Sequence, residues 1–338
     1  DIIFTSGATE SNNLAIRGVA ELQRRRGSHL VSVVTEHPSV LDPLNRLQRR
    51  GYELDLLPVV EAPDDLAGRL LPERVAGAIR DDTVLVSVML ANNEIGVIQP
   101  LEEIGRICRE RGVPLHTDAT QAVGRIPVDV RTLPVDLMSF TAHKLYGPKG
   151  AGGLYVRRKA PYLRMEPLVH GGGQEGGLRS GTLNVPGIVG LARAMELAVE
   201  EMDEEARRLG GLRDGLFEDL TGTLENVELN GPALSLPELR LPGNLNVSFG
   251  NVDGESLLMS TKNVAASSGS ACASSKPEPS HVLRGLGLTE QAARSSVRFG
   301  LGRFNTAEEV EYATAAIADS VTRLRKMSSL PVIPPNQT

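Results

Sequence analysis

TAHKLYGPKGAG, residues 141–152, sets one lysine, Lys144, between a histidine and a glycine-rich run. A lysine in that place has three readings: a solvated surface charge, a phosphate clamp, or a buried amine bonded covalently to a cofactor. The flanking segments bear on the choice. DLMSFTA (136–142) leads in and GGLYVR (152–157) leads out, and both read as short strands. Lys144 thus falls where a strand ends, the edge at which open α/β sheets gather their ligand residues.

Working outward, further strand-like runs are IIF (2–4), HLVSVV (29–34), TVLVSVML (83–90) and VPLHTDA (113–119). Helical patterns separate them: ESNNLAIRGVAELQRRR (10–26), PSVLDPLNRLQRRG (38–51) and LEEIGRICRERG (101–112). Such alternation predicts an α/β fold with a mostly parallel central sheet and helices on both faces. A long helical stretch over 186–220 leads to a smaller α+β domain containing NLNVSFG, SVRFGLG and a last helix over 307–327. The expected organisation is a large domain over 1–200, a small one over 201–327, and a disordered tail over 328–338. No internal repeat or low-complexity tract interrupts it.

Composition excludes several classes. The net charge of −6 disfavours a nucleic-acid binder, and the one dense basic cluster, QRRRG (23–27), reads as a solvated helix end. No apolar run approaches about 18 residues, so nothing reads as a membrane span. Two cysteines, Cys108 and Cys272, rule out a disulfide framework and suit a reducing, cytoplasmic compartment. The chain opens at Asp1, without a methionine and already in strand-like DIIFTSG. A longer protein is therefore expected, and a targeting segment on it stays open.

Three segments carry chemistry. GATESNN (7–13) follows a strand and opens a helix, so its N–H groups and helix dipole favour an anion, with Thr9 adding a hydroxyl. Equally, it is a plain helix start capped by Thr9 or Ser11. HTDATQAVG (116–124) puts Asp118 at a strand end, either as a helix cap or as the partner of a cation such as a protonated ring nitrogen. Lys144 lies at the same sheet edge. A free lysine has a pKa of about 10.4, and burial beside other cations lowers it enough to react with an aldehyde. No glycine loop has the GxxxxGK[ST] spacing of a nucleotide clamp. Phosphate cradle, strand-end Asp and strand-end Lys, in that order, match what pyridoxal phosphate needs, and favour the covalent amine.

The chain resembles the cysteine desulfurases of the iron–sulfur and nitrogen-fixation type, within the class V aminotransferases. The likeness runs through FTSGATESNNLAI, TEHPSVLD, NNEIGVIQP, HTDATQAVG, SFTAHKLYGPKG, GGGQEGGLRSGT, SSGSACASS and SSVRFGLGRFNT, in the family's order and over nearly the whole chain. It implies the aspartate-aminotransferase-like fold of pyridoxal-phosphate transferases and conversion of L-cysteine to L-alanine. It also implies residue roles. Ala8 and Thr9, with Thr141 and His143, would hold the cofactor phosphate. His37 would stack on the ring and shuttle protons; by itself it reads as a satisfied loop histidine. Asn93 and Gln121 would lie beside the ring substituents, Gln121 near the phenolic oxygen, and Asn93 would also face substrate. Asp118 would keep the ring nitrogen protonated, and Lys144 would carry the cofactor. Arg298 would grip the substrate carboxylate with its planar fork, although alone it reads as a strand-end surface arginine. Thr182 would reach the phosphate of the neighbouring subunit, making the enzyme a homodimer.

The two cysteines divide by setting. Cys272 lies among small residues in SSGSACASSKPEPS, which favours an accessible thiol; it would receive the sulfur as a persulfide and touch a transient iron–sulfur cluster, no firm metal site being expected. Cys108 shares the apolar stripe of Leu101 and Ile104 and reads as core. SSGSAC followed by a long segment resembles the group serving iron–sulfur assembly, whose partner is a scaffold or other sulfur-acceptor protein. SKPEPSHV departs from the family's usual residues there, and the family's further N-terminal stretch, with a small-domain strand and an asparagine-containing substrate loop, is absent. Alternatives to the desulfurase are a selenocysteine lyase, an aminotransferase, or an inactive fragment retaining the fold.

Overall fold

The computed structural model describes residues 1–158, 163–268 and 279–327. They divide into two units: Asp1–Pro58, Leu70–Asn92 and Gln99–Met202 form the first, and Val59–Arg69, Asn93–Ile98 and the chain from Asp203 form the second.

In the first unit β1 (Ile2–Thr5), α1 (Ala8–Leu22), β2 (His29–Val33), α2 (Pro38–Gln48), β3 (Glu53–Leu57), α3 (Pro72–Ala78) and β4 (Thr83–Ser87) follow in turn. Then come α4 (Leu101–Glu110), β5 (Leu115–Asp118), β6 (Leu137–Thr141), β7 (Gly152–Val156) and the start of α5 (Val185–Thr223). The sheet order is β1-β7-β6-β5-β4-β2-β3. Pairing is parallel from β3 through β2, β4 and β5 to β6, while β7 runs antiparallel to both β6 and β1. Every residue of β2, β4, β5 and β6 is buried, so both faces of the sheet are covered, as the apolar residues of β2, β4 and β6 require. α1 packs across β4 to β7, and its Leu14, Ile16 and Val19 join Leu30, Leu85 and Leu154 in the core. Each such side chain contributes about 1.5–3 kcal/mol on burial.

α4 shows why its segment is helical. Glu102 and Glu103 stand in the first turn and Arg109 in the last, each sign matching the dipole end it faces. Leu101, Ile104, Gly105 and Cys108 make its buried stripe, as their spacing predicts. Gly105 admits Pro134, since a Cβ there would come within 2.5 Å of it. β3 is the strand that the apolar runs did not reveal. ELDLL pairs only with β2 at the sheet edge and is nowhere fully buried, so it carries neither a continuous apolar run nor one clean face.

The second unit takes the end of α5, then β8 (Val227–Leu229), β9 (Asn244–Phe249), α6 (Gly254–Ser260), β10 (Ser267–Ser268), α7 (His281–Gly285), α8 (Glu290–Arg294), β11 (Ser296–Gly300) and α9 (Ala307–Met327). Its sheet is antiparallel, in the order β10-β11-β9-β8. β9 alternates with period two: Leu245, Val247 and Phe249 enter the core with Leu216, Leu220, Ile317 and Val321. Asn244, Asn246 and Ser248 form hydrogen bonds from the intervening positions.

Two short stretches that the sequence reading placed in the large domain group with this second unit. Val59–Arg69 is tied to it by Ala62 N–H to Leu286 O (2.9 Å) and by Ala233 N–H to Asp65 O (3.0 Å). Asn93–Ile98 is tied by Ile98 N–H to Leu239 O and Leu241 N–H to Gly96 O, both 2.8 Å. Backbone pairing between residues far apart in sequence decides the grouping, and no local pattern records it. The expected tail over 328–338 lies outside the described residues. No described helix is long and apolar enough to cross a membrane.

Candidate active site

In the first unit the site begins where β1 turns into α1. Gly7 is the N-cap of α1, and no side chain caps the helix; Ser11, one of the two expected caps, instead pairs with Thr5 Oγ1 at 2.8 Å. The first-turn N–H groups, those of Ala8 and Thr9 among them, could therefore cradle an anion. Gly152 lets β7 pass close by: a Cβ there would fall 2.6 Å from Gly7 Cα and 2.8 Å from Phe140 O. Thr141 Oγ1 lies 3.5 Å from where a Cβ on Gly7 would be, which puts this hydroxyl at the cradle. Glu10 completes the rim, receiving Ser6 N–H and Oγ–H and Arg179 Nε–H. Burial works to raise its carboxyl, but the hydrogen bonds from Arg179 and Ser6 prevail and hold it below the ordinary range.

Asp118 ends β5 and is only 5% exposed. Thr120 N–H donates to its Oδ1 at 2.9 Å and Asn12 Nδ2 to its Oδ2 at 2.8 Å. Each oxygen keeps a lone pair for a further donor, which is what a protonated ring nitrogen requires. Asn12 Nδ2 also donates to Ser39 Oγ at 2.9 Å, and Ser39 Oγ lies 2.8 Å from Nδ1 of His37, the N-cap of α2. Asn12 Oδ1 is buried with no hydrogen-bond partner. Two more ionisable groups are buried around Asp118. Burial lowers His116 to about 4, against the pull of Asp118, and its ring bridges Ser87 Oγ and Ser139 Oγ. Burial, reinforced by Asp118, drives Glu36 well above the ordinary carboxyl value, although Met89 N–H donates to its Oε1. Burial thus disfavours the charged form of both groups.

Beside it, β6 runs parallel to β5 and passes at Thr141 into a 3₁₀ turn, Ala142–Lys144. Thr141 Oγ1 donates to Ala151 O at 3.2 Å and meets His143 Nδ1 at 3.0 Å. His143 and Lys144 therefore share a sheet edge with Asp118, as expected. The expected burial of Lys144 is corrected: its side chain, like that of His143, is exposed, because the packing of this turn is made by buried Ala142 and Leu145 on either side of it. Desolvation, with Lys144 and Lys149 adding repulsion, lowers the His143 pKa. Gln121, half-buried, accepts Arg125 Nη1 at 2.6 Å, and Arg125 Nη2 donates to Lys144 O at 3.1 Å. Thr182 is exposed in the loop before α5.

In the second unit Arg298 sits mid-strand on β11, and its Nη1 donates to Asn93 O at 2.9 Å. Glu94 is buried beside them; Ser280 Oγ–H donates to its Oε2 at 2.5 Å, and Asn244 and Asn246 donate to its carbonyl. Burial raises Glu94 to about 7, with Ser280 and Arg298 pulling the other way. Cys272 lies outside the described residues. Cys108 is buried in the core of the first unit, and burial drives its thiol up to about 12.

Sequence reasoning missed Asn12, Ser39, Glu36, His116, Glu94 and Arg125. Asn12 had a signal: it stands four and seven residues before Ile16 and Val19, on the apolar stripe of α1, where an amide needs a reason.

The aminotransferase class-V profile matches residues 1–313. The cysteine desulfurase IscS of Anaeromyxobacter dehalogenans strain 2CP-C is 54% identical over 330 residues, 98% of this chain and 79% of that protein. Its counterpart from Aeromonas hydrophila is 53% identical over the same shares. Among solved structures, a NifS-like protein superposes with a TM-score of 0.85 at 38% identity, over 95% of this chain and 82% of that one. The apo cysteine desulfurase of Thermococcus onnurineus NA1 gives 0.79 at 26% identity, over 95% and 79%. This chain belongs to the class V aminotransferase family.

Proposed function

We infer that this protein is a pyridoxal-phosphate-dependent cysteine desulfurase. It converts L-cysteine to L-alanine and takes the sulfur onto Cys272 for iron–sulfur cluster assembly or another acceptor. One observation carries the reading: at the edge where β5 and β6 end, the Asp118 carboxylate and the Lys144 turn stand together. The relatives named as desulfurases, similar over 98% of the chain, support it.

Pyridoxal phosphate, when bound, supplies an electron sink for bonds broken at the substrate carbon skeleton. The chain's residues do the rest. Ala8, Thr9, Thr141 and His143 take the phosphate, and Gln121 the phenolic oxygen. Asp118 would keep the ring nitrogen protonated, while burial disfavours charge on Glu36 and His116 beside it. Lys144 holds the cofactor covalently and moves the substrate α-proton, its exposure in this chain leaving it accessible to an incoming amino acid. Arg298 grips the substrate carboxylate, with Asn93 beside it. His37 stacks on the ring and handles the thiol proton. The Cys272 thiolate attacks the substrate sulfur: an S–S bond forms, the C–S bond breaks, and its electron pair leaves with the carbon skeleton, which gains protons to become alanine. The enzyme acts in the cytoplasm as a homodimer in which Thr182 serves the partner's phosphate site.

The test is release of alanine from L-cysteine by the cofactor-loaded protein, with sulfide freed by added thiol. Borohydride reduction followed by peptide mapping should place the cofactor on Lys144. Loaded protein that yields no alanine, or a label on another lysine, overturns the reading.

A further inference from the structure

An unbroken chain of hydrogen bonds crosses the first unit through Ser39. Asn12 Nδ2 donates to Asp118 Oδ2 at 2.8 Å and to Ser39 Oγ at 2.9 Å, and Ser39 Oγ meets His37 Nδ1 at 2.8 Å. The Ser39 backbone N–H also donates to Nδ1, at 3.1 Å. Pro38, the first residue of α2, has no N–H to offer, so Ser39 supplies the first free amide of the helix.

The direction of each bond follows from the Asp118 end. A carboxylate only accepts, so the group that Asn12 turns to Asp118 is its NH₂; a carbonyl oxygen at 2.8 Å would be repelled. The second hydrogen of that NH₂ goes to Ser39 Oγ, which makes the hydroxyl an acceptor there. Its own hydrogen is left for His37. Nδ1 thus receives two donors, the hydroxyl and the amide, and has no room for a proton of its own.

We propose that Ser39 is a positioning residue that holds His37 as the tautomer protonated on Nε2, its orientation read from the Asp118 carboxylate through Asn12. In that state the imidazole presents a donor at Nε2. Placing a proton on Nδ1 costs the ring both of its hydrogen bonds from Ser39. His37 therefore first meets a sulfur group as a hydrogen-bond donor, and accepts a proton at Nε2 only after the Ser39 hydroxyl has turned. The catalytic meaning rests on the proposed function; the tautomer is a property of the chain alone.

Nitrogen-15 and carbon-13 NMR of histidine-labelled protein reads the tautomer, with His37 assigned by the signal lost in His37→Gln. In mildly alkaline buffer we expect His37 almost wholly as the Nε2–H form. Ser39→Ala should lower the ratio of Nε2–H to Nδ1–H about two- to tenfold, the amount that one hydrogen bond carries. It should also move the Nδ1 resonance towards that of an unbonded ring nitrogen, and Ser39→Thr should restore both. A wild-type majority of Nδ1–H overturns the proposal, as does a Ser39→Ala protein with ratio and resonance unchanged. Measured without cofactor, these readouts are independent of alanine release, so the tautomer and the desulfurase reading stand or fall separately.

Discussion

Arg125 is tied to the backbone of Lys144: its Nη2 donates to the Lys144 carbonyl at 3.1 Å, while Nη1 holds Gln121 Oε1 at 2.6 Å. One planar cation thus joins the turn carrying the amine to the loop after β5. Because Arg125 occupies Oε1, the amide nitrogen of Gln121 is the end that the proposed function would turn to the phenolic oxygen. Arg125→Ala should lower kcat/KM for cysteine about five- to tenfold, the modest size reflecting an exposed guanidinium. Arg125→Lys should recover only part, since a point charge does not span both acceptors. Equal kcat/KM in all three proteins would remove the positioning role.

Under the proposed function, Asp118 carries the charge on which the site turns. Asp118→Asn keeps the shape and removes the charge that the proposed function sets opposite the ring nitrogen, while burial disfavours a replacing charge on Glu36 or His116. We expect the variant to retain cofactor and lose turnover by about 10²-fold or more, the usual scale for an electrostatic catalytic group. Absorbance of bound cofactor and the rate of alanine formation measure the two separately. Near-normal turnover would refute the assignment.

Glu94 makes stability depend on pH in the second unit. Its carboxyl rises from an ordinary 4.5 to about 7 because burial disfavours the charge. A carboxyl raised in the folded state supports folding fully below 4.5, and that support is lost as pH climbs through about 7. A shift of this size corresponds to something on the order of 3 kcal/mol. Glu94→Gln, which still accepts from Ser280 but never ionises, should melt close to wild type at about pH 5 and above it at about pH 8. Parallel melting curves at both pH values would show that Glu94 ionises without strain.

The β5 and β6 strands, and with them the shared edge of Asp118 and Lys144, were legible in the alternation of strand-like and helical segments, and both are buried throughout. The exposure of Lys144 was not legible, since it depends on how Ala142 and Leu145 pack. The partners of the site were hidden for a related reason. Ser39 reads as an ordinary second residue of a helix, and its meaning comes from Asn12, 27 residues earlier, and from Asp118 beyond that. Glu94 looks like one more loop carboxylate until Ser280, 186 residues on, closes over it. Chemistry at a strand end is local and can be read along the chain; hydrogen bonds that orient it are tertiary.

The two cysteines give the sharpest division between a desulfurase and its relatives. Cys272→Ser should still take up cofactor and still bind cysteine, seen as a shift in cofactor absorbance, because Lys144, Asp118 and Arg298 are unchanged. Alanine formation and persulfide labelling should both vanish. Cys108 is a different thiol. It is 1% exposed on the inner stripe of α4, and burial holds it protonated with a pKa of about 12, so it offers neither access nor thiolate. Cys108→Ser should keep full alanine formation and lose about 1–2 kcal/mol of stability, from a hydroxyl placed where a thiol packed. In the native wild-type protein an alkylating reagent should modify Cys272 and spare Cys108 until the chain unfolds. Persulfide mapped to Cys108, or alanine formed without Cys272, would transfer the chain to the lyase or transaminase branch of its family.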